Sequence, residues 1–133
     1  REKHKEHYRF CKYMIGFRRE HAILRKALLR SRTGYPDMQV MGMDDSSKVL
    51  LVVFAGCDEE GQEDMVCLAL NVFWERQELY LPSLPTGMGW KIAADTGKEY
   101  LKAGIPEDGA LPLAGNSLSM QERSLMVLVA DQL

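Results

Sequence analysis

The sequence has few of the features that mark membrane or secreted disulfide-bonded proteins. None of its apolar runs approaches the roughly 20 residues that a membrane helix requires, and no signal-peptide pattern is present. The three cysteines, Cys11, Cys57 and Cys67, are odd in number and none forms a C-x-x-C pair. That usage predicts buried thiols in a reducing compartment, and we expect a cytoplasmic protein. Because the chain opens on Arg1, we expect a processed product or a piece of a longer polypeptide.

Catalytic and metal-binding signatures are also missing. The sequence contains no G-x-S-x-G, no Walker-type glycine loop, no G-x-G-x-x-G and no H-E-x-x-H. His4, His7 and His21 all lie in the N-terminal segment, far from Cys57 and Cys67. The acidic cluster over 58–64 lacks the ordered ligand pattern of a calcium loop and is typical of a solvated connection. We therefore predict no catalytic residue, no metal and no cofactor.

The charged residues are distributed unevenly, so that the chain has a basic N-terminal part and an acidic remainder. Residues 1–32 hold 11 Lys and Arg against 3 Asp and Glu, whereas residues 33–133 hold 6 against 16. Apolar spacings of three and four in the basic part predict a helix over about 4–19 and a second helical segment over 21–29. The stripe consists of Phe10, Tyr13, Met14, Phe17, His21, Leu24 and Leu28. The sequence Thr33-Gly34-Tyr35-Pro36-Asp37 then ends the helical part.

The acidic part has the pattern of an antiparallel β-sandwich. Short strands are predicted over 38–43, 48–55, 65–73, 77–81, 89–95, 117–120 and 124–130. Connections rich in Gly, Pro, Asp and Ser separate them at intervals of about ten residues. We thus predict a mainly β fold preceded by one or two N-terminal helices, with 1–32 and 33–133 as its two parts.

Several of these strands are apolar on both faces. Residues 49–54 and 125–129 are continuous apolar runs, and 65–70 is nearly so. Strands of a free-standing antiparallel sandwich alternate between apolar and polar residues. The outer face of one sheet is therefore expected to be covered, partly by the basic helix and otherwise by a domain outside this chain. The alternative is that residues 1–30 cover the whole face.

Two features could support binding. Trp74 and Trp90, with Tyr80, lie in or beside strands and are candidate contacts for sugar rings, although two Trp in a small sandwich are more often core anchors. The basic helix carries Arg18, Arg19, Arg25, Lys26, Arg30 and Arg32, which suits phosphate contacts. The acidic body would repel nucleic acid, so we predict no nucleic-acid partner and no membrane partner.

Five motifs in order resemble a known family. Residues 8–25 are similar to the last barrel helix of isoamylases and glycogen-debranching enzymes, with Ala22 where the family usually has Pro. Further on, the resemblance is carried by the strand at 68–75 with Asn71, by Leu81-Pro82, by Trp90 followed by Asp95-Thr96, and by Arg123-Ser124 with Leu128. It covers about residues 8–130. The chain thus resembles the C-terminal domain of an isoamylase/pullulanase-type member of the α-amylase superfamily, glycoside hydrolase family 13.

The resemblance implies a role without catalysis. A parent enzyme of this family hydrolyses α-1,6 branch points of glycogen, starch or pullulan by a retaining mechanism with an Asp nucleophile and a Glu acid/base. Those residues would lie on the catalytic barrel preceding residue 1, so none is assigned here. The family's C-terminal domain is a Greek-key β-sandwich that packs on the barrel, stabilises it and sometimes contacts sugar. The expected partners are thus the barrel of the same polypeptide and an α-glucan.

Two other functions remain open on the sequence. One is a stand-alone carbohydrate-binding module that recognises α-glucans through Trp74 or Trp90. The other is a protein-interaction module whose helix face binds another subunit.

Overall fold

In the part of the chain that the structure describes, the fold combines one N-terminal α-helix with eight antiparallel strands. The computed structural model describes residues 2–24, 38–41, 49–57, 60, 63–98, 100–102, 104–106, 109–113 and 115–132. Helix α1 (Glu2–Glu20) is followed by one turn of 3₁₀-helix (Ala22–Leu24). The strands are β1 (Met38–Met41), β2 (Val49–Cys57), β3 (Glu63–Asn71), β4 (Gln77–Tyr80), β5 (Met88–Asp95), β6 (Leu111–Pro112), β7 (Ser117–Met120) and β8 (Ser124–Gln132).

The helix predicted over 4–19 is confirmed, with slightly wider bounds. Its apolar stripe faces the sheet, and Gly16 continues the helix without a break. Two backbone hydrogen bonds link the end of α1 to the 3₁₀ turn. They join His21 N to Phe17 O and Leu24 N to His21 O, each at 3.0 Å. The remainder of the segment predicted over 21–29 lies outside the described residues. No described helix is both long enough and apolar enough to cross a membrane.

The predicted mainly β, antiparallel, sandwich-like architecture is also confirmed. Six strands form one sheet in the order β1-β2-β3-β8-β5-β6, and β4 pairs with β7 in a second, two-stranded sheet. All of these pairs are antiparallel. Strand β8 thus lies between β3 and β5 at the centre of the large sheet, and each of its faces contributes to an apolar core.

Most predicted strand ends agree with the structure to within two residues, as where β2 extends to Cys57 and β8 to Gln132, and two differences have a clear physical cause. Strand β3 ends at Asn71 instead of residue 73, because the Asn71 side chain bonds the backbone of the next residues and turns the chain out of the sheet. Strand β6 was not predicted, since it has only two residues and one of them is Pro112. A proline fits there because, among the described strands, β6 lies at an edge and pairs with β5 alone.

The large sheet has an apolar core on each face. Its inner face and the small sheet enclose the main core, to which Leu79, Leu118 and Met120 of β4 and β7 contribute. On its outer face, Phe17 of α1 and Ile23 of the 3₁₀ turn pack with Val66, Ala93, Ala94, Val127 and Val129. Helix α1 and the small sheet therefore lie on opposite sides of the large sheet.

Candidate functional site

The register of the large sheet places most of the outward-facing side chains of β1, β2, β3 and β8 in three rows. Leu50, Leu70 and Leu125 are cross-strand neighbours in the first row. Val40, Val52, Leu68 and Val127 form the second. Met38, Phe54, Val66 and Val129 form the third. Every outward position in these rows is apolar, as the doubly apolar strand sequences predict.

Helix α1 and the 3₁₀ turn cover only part of these rows. Val66 and Val127 are buried beneath them, whereas Leu50, Leu70 and Leu125 remain half-buried. At the β1 edge, Met38 is 59% exposed and Val40 is 50% exposed. We call this set the open apolar strip: Met38, Val40, Leu50, Val52, Leu70 and Leu125. It is the main candidate for a docking surface.

A groove continues the strip underneath the helix. It has a volume of about 440 Å³ and lies between α1 and the sheet, with Met14 and Ile15 on the helix side and Leu68 and Val127 on the sheet side. Ile15 is itself exposed. The apolar surface therefore extends from the edge strand β1 to the exposed side of α1.

The helix is attached to the sheet by a polar clamp at its C-terminal end. His21 Nδ1 donates to Asp64 Oδ1 at 2.7 Å, and the backbone N of Ile23 donates to Asp64 Oδ2 at 3.0 Å. The Phe17 ring lies against the imidazole, with centroids 4.3 Å apart. A His–Asp pair also orients the base in hydrolases, but here both carboxylate oxygens hold the 3₁₀ turn in place. The pair therefore has a structural explanation.

Part of the acidic cluster over 58–64 belongs to this clamp instead of a solvated loop. Glu63 and Asp64 lie in β3, and Asp64 faces the helix. Asp58 and Glu59 lie outside the described residues. Among the residues that the structure describes, no group of three or more His, Cys, Asp or Glu side chains is placed to hold a metal ion.

The two tryptophans proposed for sugar binding have different environments. Trp90 is 1% exposed within the main core, and its indole Nε1 donates to Pro82 O at 2.9 Å. Trp74 is 65% exposed in the turn between β3 and β4, and its ring stacks on Phe73 with centroids 4.4 Å apart. Only Trp74 therefore has a ring face available for a ligand.

The backbone of this aromatic turn is fixed by Asn71, a fully buried side chain at the end of β3. Its Nδ2 donates to Glu75 O and Gln121 O, each at 3.0 Å, and its Oδ1 accepts from Phe73 N at 3.0 Å. Phe73 O in turn accepts from the backbone N of Arg123 at 3.0 Å. The Phe73–Trp74 pair is thus held on both sides by hydrogen bonds.

The motif residues at the end of β5 also organise turns. Asp95 is buried, and its carboxylate accepts from Gly97 N at 3.0 Å and from Tyr100 N at 2.8 Å. Thr96 Oγ1 accepts from Leu125 N at 2.8 Å. Ser124 Oγ donates to Gln121 O at 2.7 Å. Each of these polar residues therefore has a role in loop geometry that requires no ligand.

Among the described residues, the surroundings of Cys67 and Tyr13 raise the pKa values of these two groups. Burial raises the pKa of the Cys67 thiol to about 12, so this cysteine is a poor nucleophile at neutral pH. Burial and, secondarily, the negative charge of Glu20 raise the pKa of Tyr13 on α1. Cys57 is buried like Cys67, whereas Cys11 is exposed, and the three described cysteines form no disulfide.

No family model matches the chain, and no curated protein matches it either.

Sequence reasoning missed Asn71 as the residue that builds the aromatic turn, and it missed the pairing of His21 with Asp64. A signal for the first was available, since a polar residue that ends an apolar strand is a frequent source of side-chain-to-backbone bonds. For the second there was none, because 43 residues separate the partners.

Proposed function

We propose that this chain is the non-catalytic C-terminal accessory domain of a debranching glycosidase of the isoamylase/pullulanase type, acting in glycogen or starch breakdown. The observation that carries the proposal is the open apolar strip on the outer face of the large sheet. In this account the strip packs against the catalytic barrel of the same polypeptide, and α1 is the last helix of that barrel. A reducing, cytoplasmic location fits cysteines that form no disulfide with one another.

The energetics favour a docked strip. Complete burial of one Val, Leu or Met side chain contributes about 1.5–3 kcal/mol relative to full exposure. The six members of the strip are half-buried or exposed in this chain, so covering them would recover several kcal/mol. A contiguous apolar surface of this kind is typical of protein–protein contacts.

The polar residues that carry the family resemblance support an accessory role as well. Asn71, Asp95 and Thr96 each use their side chains to bond backbone groups of neighbouring turns. Such residues fix the conformation of the turns, and a domain that stabilises its partner by packing against it needs a fixed surface.

The first experiment separates this role from catalysis. The purified 133-residue chain should show no release of reducing ends from pullulan or glycogen. The longer polypeptide that contains it should release them. Turnover by the isolated chain would contradict the non-catalytic part of the proposal.

The second experiment tests the strip itself. Leu50→Gln with Leu70→Gln, introduced into the longer polypeptide, should lower its melting temperature and shorten its active lifetime at elevated temperature. Leu111→Gln is the matched control, because Leu111 is an exposed leucine on β6, which pairs at the opposite edge of the sheet. Equal loss in both variants would contradict docking through the strip. Self-association of the isolated chain that Leu70→Gln does not change would instead favour a subunit-binding role of the helix face.

A further inference from the structure

A second cleft runs along α1 on the flank that faces away from the open apolar strip. Its volume is about 420 Å³. The groove on the strip side contacts β3 and β8 through Leu68 and Val127, whereas this cleft is closed by a loop at the end of β5. A domain docked on the strip would therefore leave it uncovered. We call it the basic cleft, and its lining includes Arg9, Lys12, Tyr13, Gly16 and Glu20 of α1 and Ile105 of the loop.

The loop wall of the basic cleft is held in place by hydrogen bonds at the end of β5. Asp95 N donates to Gly104 O at 2.8 Å, and Gly104 N donates to Leu101 O at 2.9 Å, which fixes the backbone next to Ile105. Gly104 has a φ of +82°, and a Cβ at this position would lie 3.7 Å from the Phe10 ring. The loop thus packs against α1, so the width of the cleft is set without a ligand, which lowers the entropic cost of binding one.

The helix wall of the cleft is recessed at Gly16, in the middle of α1. A glycine inside a helix is destabilising by about 0.5–1 kcal/mol relative to alanine. Close packing does not require a glycine here, because a Cβ at residue 16 would meet no atom within 4 Å. The space that a side chain would occupy belongs to the basic cleft. Gly16 therefore weakens the helix and keeps the cleft open.

The charges of the basic cleft are separated along the helix. Arg9 and Lys12 are neighbours one helical turn apart, whereas Glu20 lies about 12 Å beyond Lys12 along the helix axis. That distance exceeds the Debye length of about 8 Å in physiological salt, so Glu20 cancels little of the positive charge. In the part of the chain that is described, Arg9 and Lys12 take part in no ion pair. One end of the cleft thus offers two cations to a ligand.

The middle of the cleft is mainly apolar. The Tyr13 and Phe17 rings lie on the helix side with their centroids 6.3 Å apart, and Ile105 lines the other side. Burial and, secondarily, the negative charge of Glu20 raise the pKa of Tyr13, so its hydroxyl stays a hydrogen-bond donor at neutral pH. The cleft volume lies within the range of about 300–1,000 Å³ that is typical of small-molecule sites. The space over Gly16 suits a flat apolar ring.

We propose that the basic cleft binds a small organic anion, in which a flat apolar ring carries a carboxylate or a phosphate group. The ring packs over Gly16 between Tyr13 and Ile105, and the anionic group pairs with Arg9 and Lys12. A guanidinium group holds either anion through two N–H donors, and an ammonium group adds a point charge. Positive charge at this end favours an anion, and the apolar middle favours a ligand with a ring over a fully hydrated ion. This site goes beyond the docking role and does not depend on it.

The test is calorimetric titration of the 133-residue chain with three probes of similar shape. They are 1-naphthylacetate, 1-naphthyl phosphate and the neutral 1-naphthylacetamide. At least one anion should bind saturably, and the amide should bind about tenfold more weakly or not at all. The anion that binds more tightly identifies the acid group. Equal binding of the amide, or no binding of either anion, overturns the proposal.

Charge variants test the cation end. Arg9→Gln with Lys12→Gln should weaken anion binding by about tenfold or more. Arg18→Gln with Arg19→Gln is the matched control, because it removes the same charge from exposed positions of α1 outside the basic cleft. Equal weakening in the two double variants would show unspecific attraction to the helix and would overturn the proposal.

Gly16→Leu separates binding from folding. Leucine is a better helix former than glycine, so the melting temperature should not fall. Its side chain would fill the cleft, and anion binding should weaken by about tenfold or more. Unchanged binding would overturn the proposal. A lower melting temperature would give Gly16 a packing role and would contradict the assignment of its space to a ligand. None of these outcomes affects the docking role, which Leu50→Gln with Leu70→Gln tests separately.

Discussion

Replacing Asn71 by Asp should destabilise the domain far more than its small change in shape suggests. The carboxylate keeps the oxygen that accepts from Phe73 N, but it replaces the Nδ2 group that donates to Glu75 O and Gln121 O. Two hydrogen bonds of about 1 kcal/mol each are lost. These two carbonyl oxygens, and Met120 O at 3.4 Å from Nδ2, then face a buried oxygen, which adds about 1–3 kcal/mol.

The sum is a loss of about 3–5 kcal/mol in the free energy of unfolding, against a total of about 5–15 kcal/mol for a domain. At this chain length, about 4 °C of melting temperature is expected per kcal/mol, so the transition should fall by about 12–20 °C. Urea unfolding monitored by circular dichroism measures the free energy, and calorimetry measures the transition temperature. The loss should be smaller at acid pH, because a protonated carboxyl group can donate one of the missing bonds.

Asn116→Asp is the matched control for this change. Asn116 is exposed in the turn before β7, so its substitution should alter stability by no more than about 0.5 kcal/mol. If Asn71→Asp were as stable as Asn116→Asp, the account of Asn71 as the residue that fixes the aromatic turn would be refuted.

Three further predictions concern the helix clamp, two glycines and a buried thiol. In a double-mutant cycle, His21→Ala and Asp64→Asn should show a coupling energy of about 1 kcal/mol in urea unfolding. If the two substitutions had additive effects on the free energy of unfolding, the interaction between His21 and Asp64 would be contradicted. Gly16→Ala should stabilise the chain by about 0.5–1 kcal/mol, because the added Cβ meets no atom within 4 Å. Gly97→Ala should instead destabilise it by about 1–3 kcal/mol, because the added Cβ would lie 2.9 Å from the Cβ of Gln121. Burial raises the pKa of the Cys67 thiol in the folded state from 9.0 to about 12, so its contribution to stability is complete below pH 9 and is lost as the pH rises toward 12. The free energy of unfolding should therefore fall more steeply with pH in the wild type than in Cys67→Ala. Equal slopes would contradict this prediction.

The sequence predicted the elements well because their signals are local. Apolar spacings of three and four identified α1, and turn residues at regular intervals separated the strands. The end of β3 was misplaced because Val72 and Phe73 are good strand formers, and only the Asn71 side chain directs them out of the sheet. Strand β6 was too short to give a pattern.

The candidate surfaces were only partly predictable. The doubly apolar strands indicated a covered outer face, and α1 does cover part of it. The area of the outer face that remains exposed depends on where α1 crosses the sheet. The hydrogen bond between His21 and Asp64 fixes the C-terminal end of the helix at that position. Trp74 and Trp90 looked equivalent, because composition does not tell which side of a strand or turn faces the core.

The most direct test of the docking role is the rate at which a maleimide labels a cysteine placed in the open apolar strip. In a Cys11→Ser background, the remaining native cysteines are buried, so Leu70→Cys supplies the reactive thiol and Leu111→Cys serves as control. The account predicts that residue 70 is labelled at least about tenfold more slowly in the longer polypeptide than in the isolated chain, with no change at residue 111. Equal labelling rates of residue 70 in the two proteins would contradict it.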